Sequence, residues 1–158
     1  MAKLKELDRG EAGARFTLFM DSSALFAGVA SPSGAARALL VLAENGFVGI
    51  VVSEQVLAET ERAILRKLPN ALGEFRQAVT SARLKVVPDP TGAEVCQHRG
   101  IISDESDVPI VVAAMKAEVD CLVTHNRRDF LDDPGVATRA GLRIGSPGDA
   151  LALIRRAT

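Results

Sequence analysis

The sequence predicts an α/β fold, a mainly parallel sheet covered by helices on both faces, and three observations carry that prediction. Four short apolar runs rich in β-branched or aromatic residues, Phe16–Met20, Phe47–Val52, Cys121–Thr124 and Leu142–Ile144, read as buried strands. Longer segments with apolar residues at helical spacing separate them, as parallel strands require, because their crossover connections are usually helical. At 158 residues and 47% hydrophobic content, the chain is long enough to bury one ordinary core and too short for two.

Residues 1–15 are polar and read as an N-terminal tail; they lack the apolar stretch of a signal peptide. The single domain is expected over 16–158. After the first strand, helices are predicted over Ser22–Val29 and Gly34–Asn45, the second closed by Asn45-Gly46. The strand Phe47–Val52 leads into a helix over Ser53–Leu68, stopped before Pro69, and a further helix covers Ala71–Ala82. Leu84–Val87 is a weaker fifth strand. The clearest helix is Ser106–Val119, where Val108, Val111, Val112, Met115 and Val119 form one buried face, with Ser106 as its cap and Pro109 in its first turn. Beyond the strands Cys121–Thr124 and Leu142–Ile144, Ser146-Pro147 starts a last helix over Pro147–Arg156. No internal repeat, low-complexity segment or interdomain linker interrupts this order.

A net charge of −1 and a pI of about 6.1 give no global attraction for nucleic acid. All six aromatics are Phe, most of them inside apolar runs, so no stacking platform for bases is visible. No run reaches the roughly 18 apolar residues of a membrane span, and a cytoplasmic location is expected. Cys96 and Cys121 lack metal-site or disulfide spacing and are expected to be buried, reduced thiols.

In an open parallel sheet, ligands bind outside the carboxyl ends of the strands, so polar residues directly after apolar runs are the places to search. Asp21 follows the first run. It fits a helix cap as well as a site, because Asp accepts backbone N–H bonds at such turns. Asp104, Glu105 and Asp107 precede the strongest helix; one acid there would suit the helix dipole, and three exceed what the dipole explains. The strand Cys121–Thr124 is followed by His125-Asn126-Arg127-Arg128-Asp129-Phe130. If the two strands are neighbours, Asp21, Asp107 and the 124–129 loop converge on one edge. Carboxylates so gathered repel one another unless some are protonated or a cation joins them. Oxygen-only donors suit Mg²⁺ or Mn²⁺, and the chemistry implied is phosphoester hydrolysis, in which such an ion activates water and offsets phosphate charge.

The ordered set Met20-Asp21-Ser22-Ser23-Ala24-Leu25, Ser53-Glu54-Gln55-Val56-Leu57-Ala58-Glu59, Asp104-Glu105-Ser106-Asp107 and Leu122-Val123-Thr124-His125-Asn126-Arg127-Arg128-Asp129-Phe130 resembles the PIN domain, especially the VapC-type toxins of toxin–antitoxin pairs. The likeness spans roughly residues 16 to 155. It implies a three-layer α/β/α fold and a Mg²⁺- or Mn²⁺-dependent ribonuclease, with RNA as substrate, a cognate antitoxin as partner and a homodimer as the usual assembly. By position, the resemblance makes Asp21 the first metal ligand, Glu59 the second acid and Asp107 the third, with Asp104 accessory. Where many relatives show Thr-x-Asp, this chain has Thr124-His125-Asn126, so either Asn126 acts as a neutral ligand or Asp129 takes the acidic role; Asp129 is favoured.

Periodicity alone sets Glu59 against that role. With Leu57, Ile64 and Leu68 on the buried face of its helix, Glu59 lies nearly opposite, within reach of Arg62; the resemblance reverses the preference. His98 and His125 lack metal-ligand spacing and read as loop or surface residues. Arg127, Arg128, Arg62, Arg66 and Lys67 are candidate phosphate contacts, with solvated charge as the default for each. A haloacid-dehalogenase-type phosphatase would need Asp where Ser23 stands, and a dinucleotide-binding turn would need glycines after the first strand. The competing readings are a housekeeping nuclease of the same family and a binding module of that fold with a weakened metal site.

Overall fold

Five parallel strands form one sheet: β1 (Thr17–Met20), β2 (Gly49–Ser53), β3 (Lys85–Val87), β4 (Cys121–Val123) and β5 (Ile144–Gly145), in the spatial order β3-β2-β1-β4-β5. This computed structural model describes residues 16–157; the polar tail predicted over 1–15 lies outside them. Helices α1 (Ser22–Ala30), α2 (Ala35–Glu44), α3 (Glu54–Lys67) and α4 (Leu72–Ser81) carry the chain from β1 through β2 to β3. Helices α5 (Gly92–Gln97), α6 (Val108–Ala117) and α7 (Pro134–Ala140) serve the strands beyond, and α8 (Pro147–Ala157) closes the chain against α2 and β4. The fold is the three-layer α/β/α sandwich the sequence predicts. β1, with a strand on either side, is the centre of the core: Leu18, Phe19 and Met20 are fully buried, as are Leu122 and Val123 of β4. Such strands read as unbroken apolar runs because both sheet faces are covered.

Three predicted strands begin too early, and for one reason. α2 closes with Gly46 at φ +76°, Gly46 N–H bonding to Ala43 O (3.0 Å) and Phe47 N–H to Leu42 O (2.9 Å), the paired closure of a Schellman motif. The same pair of bonds ends α4, from Arg83 to Thr80 O and from Leu84 to Val79 O, and α7, from Gly141 to Thr138 O and from Leu142 to Ala137 O. The apolar residue after the turn therefore belongs to the helix closure, and the strand starts later, at Gly49, Lys85 and Ile144. Phe47 is 63% exposed, which no core strand residue would be.

The segment predicted as the helix Ser106–Val119 begins instead with a 3₁₀ turn, Glu105–Asp107, and ends at Glu118 in the left-handed region, φ +54°. Ser106 does not cap it. Its N–H and hydroxyl both donate to Asp104 Oδ1 (3.0 and 2.6 Å), while Asp107 occupies the N-cap position of α6 without making a side-chain cap bond. The predicted cap at Ser146 forms as a reciprocal pair with Asp149 (3.1 and 2.9 Å). Two helices escaped the sequence reading, α5 and α7, each too short for its apolar spacing to repeat; α5 is started by a Thr91–Glu94 capping box. Cys96 lies exposed on α5 rather than buried, since this short helix covers little of the core; Cys121 is buried, and burial pushes its thiol up to about 11. Among the described residues, no single helix is long and apolar enough to cross a membrane.

Of the three closures, the one ending α4 lacks a glycine: Arg83 holds φ +53°. A side chain there costs about 1 kcal/mol that glycine avoids. Arg83→Gly is accordingly expected to stabilise the fold by up to about 1 kcal/mol, read as a raised urea midpoint at unchanged slope.

Candidate active site

The strand order reverses at β1, with β2 and β3 to one side and β4 and β5 to the other. At such a switch point the connections leave in opposite directions and open a crevice at the strands' carboxyl ends. Met20 pairs with Val123 in the register, so the next residues, Asp21 and Thr124, stand side by side at that crevice. Asp21 N–H bonds to Val123 O (3.1 Å). Its buried carboxylate is fully engaged: Oδ1 accepts from Ser23 Oγ (2.7 Å) and from Ala24 N (2.9 Å), and Oδ2 accepts from Thr124 Oγ1. Asp21 is thus the cap of α1 and a member of the crevice at once. Burial raises its pKa, and the bonds from Thr124, Ala24 and Ser23 oppose that rise.

Thr124 extends the tie in the other direction. Its Oγ1 accepts from Asn126 N (2.9 Å), and Ser23 Oγ accepts from His125 N (3.0 Å), so the loop after β4 is fastened to the first turn of α1. That loop winds into one π-helical turn, Arg127–Leu131, with Asn126 as its cap. Both ends of the Asn126 amide serve Asp129: Oδ1 accepts from Asp129 N (3.1 Å), and Nδ2 donates to Asp129 Oδ2 (3.2 Å). So held, Asp129 meets Asp104 and Asp107. Each of the three offers a carboxylate oxygen within 4.8 Å of the others.

Glu59 approaches from α3. The buried residues of that helix are Val56, Thr60 and Ile64, whereas Leu57 is only partly buried and Leu68 is 39% exposed. The face predicted from Leu57, Ile64 and Leu68 is therefore rotated. Thr60, polar by type, is buried because its hydroxyl donates to Val56 O (2.7 Å). Glu59, just before Thr60, flanks the buried face instead of opposing it and is half-buried. It accepts from Gln55 Nε2 (3.3 Å) and makes no ion pair with Arg62.

The five acids Asp21, Glu59, Asp104, Asp107 and Asp129 share one electrostatic neighbourhood, centred on Asp107. Partial burial first, then Asp104, Asp21, Glu59 and Asp129 in turn, push its pKa up to about 7. Asp104, exposed, is held below its ordinary value by the two bonds from Ser106. Among the described residues, no Lys or Arg forms an ion pair with any of the five. The basic candidates are engaged elsewhere or exposed: Arg127 with Asp132 (4.0 Å), Lys67 over the Phe26 ring (5.4 Å), Arg62 and Arg66 in solvent. Arg128 is exposed and acts on Asp104 at longer range. His98 caps the end of α5 against Glu94 O (2.8 Å), and His125 is exposed at the rim, as expected of both.

Sequence reasoning passed over Ser23, Thr124 and Gln55. Thr124 had a readable signal, a hydroxyl ending an apolar run beside a strand-tip carboxylate; Gln55 had none. One consequence is measurable in the cation-free protein. Asp107 titrates near 3.8 when unfolded and near 7 when folded, so between those values the folded state binds more protons and stability falls as pH rises. Thermal melts of Asp107→Asn, run in chelator, should match wild type near pH 4 and exceed it at pH 8.

A sequence profile of the PIN domain matches residues 17–128. No curated protein matches by sequence. Among solved structures, the fold is similar to PAE2754 from Pyrobaculum aerophilum, at 18% identity and a TM-score of 0.61, covering 92% of this chain and 98% of that one. It is similar to DNA-bound VapBC from Salmonella typhimurium, at 19% identity and a TM-score of 0.57, covering 84% and 98%. A third likeness is to Mycobacterium tuberculosis VapC20, described as a Sarcin-Ricin loop cleaving toxin, at 16% identity and a TM-score of 0.51, covering 70% and 91%. With a matching profile over most of its length and the expected parallel sheet, this chain belongs to the PIN-domain family.

Proposed function

We propose that the protein is a Mg²⁺- or Mn²⁺-dependent endoribonuclease acting as the toxin of a toxin–antitoxin pair. The observation that carries this reading is the gathering of Asp21, Glu59, Asp104, Asp107 and Asp129 in one electrostatic neighbourhood, where among the described residues no Lys or Arg forms an ion pair with any of them. The donor set fits a hard divalent ion, being all oxygen, with three carboxylates close enough to share one. Asp21, Glu59, Asp107 and Asp129 would hold the ion, with Asp104 accessory. Asn126 would serve by orienting Asp129, since both ends of its amide are given to that residue. Once bound, such an ion lowers the pKa of water and offsets charge on a phosphodiester.

The chain's own groups contribute three things. Ser23, Ala24 and Thr124 fix both oxygens of Asp21, so the deepest acid is oriented before any ligand arrives. Asp107 holds a proton near neutral pH that a divalent ion would displace, so affinity for the ion should rise with pH. His125, Arg127 and Arg128 stand exposed on the loop after β4, where RNA phosphates would pass. The toxin reading and its antitoxin partner draw on the likeness to VapC20 and to the VapBC assembly, and a homodimer in a cytoplasmic setting is part of the same proposal.

Purified protein incubated with RNA and Mn²⁺ or Mg²⁺ should cleave internally and stop when EDTA is added. Asp107→Asn should lower the rate by roughly a hundredfold or more while leaving the circular-dichroism spectrum unchanged. Undiminished cleavage in EDTA, or by Asp107→Asn, would exclude the mechanism. Partner binding without ion-stimulated cleavage of any RNA would support the binding-module reading instead.

A further inference from the structure

Glu59 and the Asp104–Asp107 segment reach the crevice from different elements, α3 after β2 and the 3₁₀ turn before α6. Among the described residues, one side-chain hydrogen bond joins α3 to that turn, and Gln55 makes it: Nε2 donates to Ser106 O at 3.1 Å. The same nitrogen donates to Glu59 Oε1 at 3.3 Å, so one amide group uses both of its hydrogens on the site. Gln55 is itself anchored, its backbone N–H bonding to Asp89 Oδ1 (2.9 Å) while Asp89 N–H bonds to Glu54 Oε1 (3.1 Å).

From this we infer that Gln55 is a positioning residue of the acidic site, a strut that holds Glu59 toward Asp107 and the 105–107 turn toward α3. The inference rests on the ion-dependent reading given above. A glutamate on a helix flank has several rotamers to lose, and its nearest competing donor by spacing is Arg62, which would draw the carboxylate toward solvent and neutralise it. An amide does neither. It orients the carboxylate by a hydrogen bond and leaves the negative charge intact for a cation. Donors behind the ligands of a metal site act in this way, and their loss typically weakens binding by roughly ten- to a hundredfold.

The test is Mn²⁺ binding by the whole chain, measured by titration calorimetry in the absence of RNA. Gln55→Met keeps the size of the side chain and removes the donor; its affinity should fall by roughly tenfold or more while the ion-free melting temperature stays within a few degrees of wild type. In a Glu59→Gln background the same substitution should cost much less, because the group it positions is already altered. Wild-type affinity in Gln55→Met would overturn the inference, and so would an equal loss in both backgrounds, the mark of a general structural effect. Absence of Mn²⁺ binding by wild type would overturn the ion-dependent reading itself, and the strut with it.

Discussion

The hydrogen bond from Thr124 to Asp21 spans the point where the sheet changes direction, and the acidic crevice is organised around it. It joins residues 103 positions apart in the chain and at adjacent strand tips in the fold. A carboxylate this deeply buried would favour its neutral form; three hydrogen bonds to its two oxygens counter that tendency. Those donors belong to α1 and to the loop after β4. The arrangement that tolerates the buried acid is therefore the one that fastens the 124–129 loop, and with it Asn126 and Asp129, over the site.

The cost of gathering five acids falls mainly on Asp107. It sits where a helix cap would stand, yet its side chain makes no cap bond, and its neighbours push its pKa toward neutrality. Asp104 takes the local capping duty through Ser106, which leaves Asp107 to face the other carboxylates. Local rules of helix formation are thus broken at the residue on which the other carboxylates bear together, as expected where function and stability compete.

Much of this was legible in the sequence. Asp21, Asp107 and Asp129 stand next to apolar runs that proved to be neighbouring strands or the helix between them, so strand adjacency alone brings them together. Glu59 was not legible from periodicity, because Thr60 is polar by type and buried in fact, its hydroxyl satisfied within its own helix. The strand starts at Gly49, Lys85 and Ile144 were misread because a helix closure and a strand both favour an apolar residue at the junction. Gln55 was invisible: its importance lies in a carbonyl 51 residues away.

The position of β1 bears on how the molecule comes into being. Its partner on one side, β2, follows closely in the chain, but its partner on the other, β4, begins only at Cys121. A ribosome that has released the first three strands has exposed an apolar central strand with one unpaired edge and Asp21 without Thr124. The acids are gathered only once the segment from Cys121 onward has emerged. A product that stops before Thr124 would carry Asp21 without the hydroxyl that engages it and without Asp129, so the site cannot assemble on the first three strands alone.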